Sequence, residues 1–173
     1  MKRESWSADD WNMVQKYSDT VYRMAYSLVK NRYDADDIHQ EVFVRYLCRK
    51  PMFENEEHER AWFLRVTINL CRNLWKTAWR RKWVSWEVYV GETKELGGAA
   101  EGAGEREGED DEVIAAVKQL PQKYRIVVHL FYYEDLSTAE IARLLRIRES
   151  TVRTQLVRAR KKLKGLLEEE RDV

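Results

Sequence analysis

Disulfide and metal frameworks are the first thing this sequence lacks. Its 173 residues hold two cysteines, Cys48 and Cys71, which share no paired ligand spacing. Both fall on apolar helix positions and read as core thiols in a reducing compartment. Proline is equally scarce: Pro51 and Pro121 are the only two, and each reads as punctuation between elements. Six of the seven glycines are confined to residues 91–112. No apolar run is long enough to cross a membrane, since the longest, around Ile126 to Tyr133, is short and interrupted by His129. No signal peptide is visible, so a cytoplasmic protein without membrane insertion is expected. An excess of one charge is also missing, because 31 Lys and Arg stand against 30 Asp and Glu.

What is present is a segregation that the total conceals. Residues 60–82 carry seven basic side chains and no acid, and residues 113–167 carry twelve basic and four acidic. Between them, residues 91–112 hold nine acids against Lys94 and Arg106, with no aromatic. Two basic blocks around an acidic one imply two contacts with a polyanion and a connector that avoids it. The connector cannot bury enough apolar area to offset its ordering entropy, so it reads as a flexible linker.

The most informative stretch is LSTAEIARLLRIRESTVRTQLVRARKKLK, Leu136 to Lys164. Ser137 and Glu140 have the spacing of a capping box. Ile141, Ala142 and Leu145 give the first short helix an apolar side, and a turn falls near Arg146 to Glu149. Val152, Leu156, Ala159, Leu163 and Leu166 then recur at helical period as a buried seam. The other side carries Ser150, Arg153, Thr154, Val157, Arg160, Lys161 and Lys164. A solvated amphipathic helix is the commoner meaning of a charge run. The capped helix, short turn and one-sign face together favour a helix-turn-helix whose second helix enters a DNA major groove.

Upstream, Ser7 with Asp10 marks a helix start, and Val14, Tyr17, Val21, Met24, Ala25 and Leu28 form its stripe to near Asn31. Asp34 is placed to cap a second helix that turns Ile38, Val42, Phe43, Tyr46 and Leu47 inward. Pro51 to Glu59 reads as a loop. A third helix, about Arg60 to Lys82, presents Leu64, Ile68, Cys71, Trp75 and Ala78 on one side. Arg65, Asn69, Arg72, Lys76 and Arg80 line another. Trp79, Trp83 and Trp86 lie close to that stripe; most of the tryptophans read as core, and one or two could stack on an unpaired base. Val113, Ile114 and Val117 resume a helix, and Pro121 suits the first position of the next. Tyr124, Val127, Val128 and Phe131 form that next helix's inner side.

In this order the segments resemble an extracytoplasmic-function sigma factor of bacterial RNA polymerase, over nearly the whole chain. DADDIHQEVFVRYL resembles the family's core-binding segment. ERAWFLRVTINLCRNLWKTAWRRK resembles the segment for minus-ten recognition and melting, and LPQKYRIVVHLFYYEDLSTAEIARLLRIRESTVRTQLVRARKKLK the domain that reads the minus-thirty-five element. The sequence departs from the pattern where Arg146 replaces the turn's usual Gly, where Arg148 and Ser150 replace Pro and Gly, and where Asn73 replaces Asp.

The resemblance implies an all-α fold of two small helical domains, residues 1–90 and 113–173, joined by a flexible acidic linker, 91–112. The second domain is then a four-helix helix-turn-helix module. It implies that Asp36, Asp37, Gln40, Glu41 and Arg45 dock on the clamp helices of core polymerase. Asn69 reads a minus-ten base edge, Arg65, Arg72, Lys76 and Arg80 hold phosphates, and Asn73 and Trp79 complete that face. The loop Pro51 to Glu59 receives a base turned out of the stack. In the second domain Arg153, Thr154 and Val157 face bases, with Ser150, Thr151, Arg158, Arg160 and Lys161 on phosphates. The linker's 22 residues span roughly 70 Å fully extended and relax to ~25 Å as a coil, so promoter elements ~70 Å apart draw it out. Freely jointed domains bind DNA poorly alone, and polymerase supplies the avidity. An anti-sigma factor is an expected partner; no cofactor, metal or enzymatic activity is expected, and melting draws on binding energy.

Three other readings have distinct marks. A stand-alone helix-turn-helix regulator would normally dimerise, yet no dimerisation segment is evident. A metal protein or enzyme using Asp34, Asp36, Asp37, His39 and Glu41 would need those side chains to converge, whereas they project around one helix. An anti-sigma or adaptor protein leaves both basic faces unexplained.

Overall fold

The computed structural model describes residues 6–88 and 109–171, with side chains for 6–78 and 112–169. Its elements are α1 (Ala8–Val29), α2 (Arg32–Arg49), α3 (Glu56–Val88), α4 (Glu109–Gln119), α5 (Gln122–Val128), α6 (Thr138–Leu145) and α7 (Glu149–Arg171). Among the described residues every regular element is helical. The expected flexible linker lies mostly outside them; α4 begins at Glu109, inside the segment assigned to it.

Local chemistry sets the helix ends. Ser7 and Asp10 mark the start of α1 as expected, and they do so as a reciprocal capping box. At α2 the outcome differs: Asn31, not Asp34, is the cap. The Asn31 side chain accepts from the Asp34 amide and donates to the Asp34 carboxylate, at 2.9 and 2.6 Å. α1 ends early enough that Asn31 is already extended backbone, so the earlier of two competent polar residues takes the position. α3 likewise starts at Glu56 inside the expected loop, because the Asn55 side chain accepts from the His58 amide at 2.8 Å. Pro121 stands one place before the helix that it was expected to open.

In the first domain α1, α2 and α3 close around Phe63, which is fully buried. Tyr17 stacks on its ring at a centroid distance of 4.4 Å, with Tyr46 at 5.4 Å and Phe43 at 5.7 Å. Val21, Met24, Ala25, Leu28, Ile38, Val42, Leu64, Ile68 and Cys71 complete the core. Glu59 ties α3 to α1 by accepting from Tyr17 Oη at 2.7 Å and Lys16 Nζ at 2.8 Å. Two inward expectations fail. Ala78 faces outward, and Cys48, expected as a core thiol, is exposed on α2. Cys48 continues the outward stripe of Val44, and Ala78 lies beyond Cys71, the last buried residue described on α3.

The second domain packs α4 and α5 against α7 through Val117, Leu120, Tyr124, Val128 and Ala159. Arg125 is buried and donates to the Lys118 carbonyl at 3.0 Å, so a cation closes the last turn of α4. A π-helical turn, His129–Tyr133, prolongs α5. The two domains also touch each other, which the sequence does not foretell. Ile126, Val127, Leu130, Ile141 and Leu144 belong to the same buried cluster as Tyr17 and Phe63.

Candidate nucleic-acid and polymerase interfaces

The helix-turn-helix is built as its sequence predicts. Ser137 and Glu140 make both capping-box hydrogen bonds, at 3.2 and 2.7 Å. Arg146 ends α6 in the left-handed region, φ 56° and ψ 46°, and its amide donates to the Ala142 carbonyl. This is the conformation that glycine takes without a Cβ penalty. The turn then launches α7 with Val152, Leu156 and Ala159 buried. Ile141 and Ala142 of α6 are buried as expected; Leu144 is buried too and Leu145 only half so.

Ser150, Thr151, Arg153, Thr154, Val157, Arg158, Arg160 and Lys161 all stand on the exposed side of α7. Val157 is 61% exposed, an apolar side chain held in water beside donors. Arg153 is preset: Glu149 accepts from it at 2.7 Å and from Thr138 Oγ1 at 2.8 Å. The Thr138 hydroxyl holds the Glu149 carboxyl below its usual range, with the Arg153 charge adding to this. Arg160 donates to Tyr132 Oη at 2.7 Å and lies 5.7 Å from the Phe131 and Tyr132 ring centres. Lys123, which the sequence reading passed over, shares a cleft of ≈ 310 Å³ with Ser150, Thr151, Thr154, Gln155 and Arg158. Lys123 is far from α7 in sequence, and only the packing of α5 on α7 brings it there.

The first domain divides its predicted residues. Asn69, Asn73 and Lys76 are exposed along α3, and Arg72 is half-buried. The side chains of Trp79, Arg80, Trp83 and Trp86 lie outside the described residues. Arg65 does not share a free face with the others: it lines a cleft of ≈ 530 Å³ with Asn55, Arg60, Leu136, Glu140 and Arg143. On α2, Asp36, Asp37 and Gln40 are exposed, and Glu41 accepts from Arg45 at 2.7 Å. Tyr33, 85% exposed, and Val44, 45% exposed, fall on the same stripe as Asp37 and Gln40 at spacings of four, three and four residues. That apolar component follows from helical period alone. His39 bridges helices, its Nε2 lying 2.9 Å from Ser18 Oγ.

An all-α protein with an exposed, donor-rich helix on a capped helix-turn-helix, and a second polar helical face on α3, is a DNA-binding protein of the helix-turn-helix class. Residues 13–81 match the model of Sigma-70 region 2, and residues 110–163 that of Sigma-70, region 4. The chain is 30% identical over 157 residues to RNA polymerase sigma factor SigV of Bacillus subtilis, covering 91% of this chain and 90% of that protein. It is 27% identical over 165 residues to ECF RNA polymerase sigma factor SigW of Bacillus subtilis, covering 90% and 87%. Among solved structures, the sigma factor RpoE in complex with the anti-sigma factor NepR, from Bartonella quintana, shares the fold. Its TM-score is 0.74 at 19% identity, covering 94% of this chain and 98% of that one. CnrH in complex with the cytosolic domain of CnrY has a TM-score of 0.63 at 22% identity, covering 92% and 87%.

The chain therefore belongs to the extracytoplasmic-function family of RNA polymerase sigma factors. It is an alternative sigma factor, a transcription initiation factor that binds core RNA polymerase and directs it to promoters. Among the described residues no helix is long and apolar enough to cross a membrane.

Proposed function

We propose that residues 1–90 dock on core polymerase and bind the minus-ten element, that residues 113–173 read the minus-thirty-five element, and that residues 91–112 connect them. The single observation that carries this division is the outward face of α7, where eight predicted contact residues are exposed and two arginines are already held in place. Arg153, Thr154 and Val157 meet base edges. Ser150, Thr151, Arg158, Arg160 and Lys161 meet phosphates, joined by Lys123 on one flank.

On α3, Asn69 reads a base and Arg65, Arg72, Lys76 and Arg80 hold phosphates, with Asn73 and Trp79 beside them. The loop with Met52, 93% exposed, takes the flipped base. Asp36, Asp37, Gln40, Glu41 and Arg45 orient the docking on polymerase, while Tyr33 and Val44 supply the apolar contact that charge pairs alone do not. No catalytic centre or cofactor takes part, so strand separation is driven by binding. The protein acts in the cytoplasm. Because the RpoE and CnrH structures are complexes with NepR and with the cytosolic domain of CnrY, an anti-sigma factor is assigned as its regulator.

The test is run-off transcription with core polymerase on a random promoter pool, beside gel shifts of the protein alone. Enrichment of a two-element promoter only in the presence of polymerase is expected. Tight operator binding by the protein alone, with start sites unchanged, refutes the proposal.

A further inference from the structure

Between Glu149 and Lys164, α7 carries six basic side chains and a single acid, Glu149 itself. That acid opens the helix, one place before Ser150 and four before Arg153. DNA phosphates repel a carboxylate, and an unrestrained one would swing away from them into solvent. Glu149 is restrained. Thr138, which opens α6 on the far side of the turn, donates from Oγ1 to Glu149 Oε1 at 2.8 Å. Arg153 Nη2 donates to the same oxygen at 2.7 Å. The Thr138 hydroxyl, with the Arg153 charge adding to it, holds the carboxyl below its usual range. At neutral pH the group therefore accepts hydrogen bonds and cannot donate them. Both bonds fall on Oε1 and the side chain is 39% exposed, so Oε2 is left to a donor from outside.

On the base edges of a major groove, the donors are the amino groups at cytosine N4 and adenine N6. Adenine N6 lies between two acceptors, its own N7 and the O4 of the paired thymine, and both repel a carboxylate. Cytosine N4 has an acceptor on one side only, the guanine O6. Arg153 commits one Nη2 proton to Glu149 and keeps the rest of its fork for the O6 and N7 of a guanine. The two side chains stand one helical turn apart, about 5.4 Å, and stacked bases are about 3.4 Å apart. With α7 along the groove they address neighbouring base pairs.

We infer that Glu149 is a specificity-determining residue of the minus-thirty-five reading. Its Oε2 accepts from the N4 amino group of a cytosine next to the position that Arg153 reads, and Thr138 is the positioning residue that aims it. The inference rests on the proposed minus-thirty-five role of α7. It differs from a bracing role in the promoter position affected. A carboxylate that only steadies Arg153 has no base of its own, so its loss changes the Arg153 position alone.

The experiment uses the full chain with core polymerase and binding selection from a promoter pool randomised across the minus-thirty-five element. Arg153→Ala identifies the position that Arg153 reads. Wild type should prefer cytosine at a neighbouring position, and Glu149→Ala should weaken that preference about tenfold, the scale of one base-edge contact. Glu149→Gln keeps the shape but can both donate and accept, so it should move the same position from cytosine towards adenine. Thr138→Val should blur the cytosine preference with Glu149 intact, and Thr138→Ser should restore it. The Thr138 variants should leave the salt dependence of binding unchanged, because they alter no charge. Thermal melts accompany each variant; should the Glu149 variants melt early, the Thr138 pair decides.

A Glu149→Gln selection altered only at the Arg153 position makes Glu149 a brace and overturns the inference. So does a uniform loss across positions, or a Thr138→Ser protein that behaves like Thr138→Val. If Arg153→Ala and wild type alike enrich no minus-thirty-five base, the reading by α7 itself falls, and Glu149 loses its role with it.

Discussion

Replacing Arg146 by glycine should stabilise the protein. Arg146 holds φ 56° and ψ 46° at the end of α6, and its side chain is exposed. A left-handed backbone costs an L-residue roughly 1–2 kcal/mol. Glycine escapes that cost but loses about 0.5–1 kcal/mol more backbone entropy on folding. The difference leaves a net gain of about 0.5–1 kcal/mol, or up to about 4 °C in Tm for a cooperative unit of this size. The amide of residue 146 still donates to the Ala142 carbonyl, so the turn itself is retained. Thermal and urea melts of wild type, Arg146→Gly and Arg146→Ala make the assay. Alanine removes the side chain but keeps the strained backbone, so it should not share the gain. If glycine melts no higher than alanine, or below wild type, the strain argument at this turn is wrong.

Arg153→Ala should cost ~1–3 kcal/mol of promoter affinity and relax a single minus-thirty-five position, as read by binding selection with polymerase. Lys123→Ala should weaken binding evenly across sequences and flatten the dependence of log K on log salt by about 0.9; a change in sequence preference would place Lys123 on a base instead. Tyr33→Ala should reduce affinity for core polymerase tenfold or more, about 1.4 kcal/mol, in a titration that leaves folding unchanged. Burial raises the Glu59 pKa, but hydrogen bonds from Lys16 and Tyr17 outweigh it and leave it lowered. Its stabilisation is therefore present above the ordinary carboxylate range and is lost as pH falls through the lowered value. Glu59→Gln should cost about 1.5–3 kcal/mol near neutrality and should flatten the acid limb of the stability profile; equal acid sensitivity in both proteins would count against this pairing.

What the sequence made legible was local. Both capping boxes and the first three positions of the α7 seam depend on residues three or four apart and stand where spacing puts them; Leu163 and Leu166, further along the same seam, are only half-buried. Asn31 displaced Asp34 because two polar residues could each serve as a cap, and the choice followed from where α1 stops. Phe63 escaped notice as the centre of the first core because helical period places Leu64 beside it, and only the approach of Tyr17, Phe43 and Tyr46 singles it out. Lys123, Arg60 and Arg65 mark the same limit at the sites. Each owes its position to an element far away in the chain: the packing of α5 on α7, or of the second domain on the first. Cys48 misled because it is apolar by type but stands four residues after exposed Val44, on the outward stripe of α2.

The division of α7 into a buried seam and an independent outer rank separates address from architecture. Thr154 and Val157 contribute nothing to the interior, whereas Arg153 and Arg160 are braced from behind by Glu149 and Tyr132. Exchanging Thr154 and Val157, which hold no side chain of another residue in place, should redirect the protein to other promoters while its melting behaviour stays put. The braces keep the surrounding stencil still, so a new specificity could arise from very few substitutions.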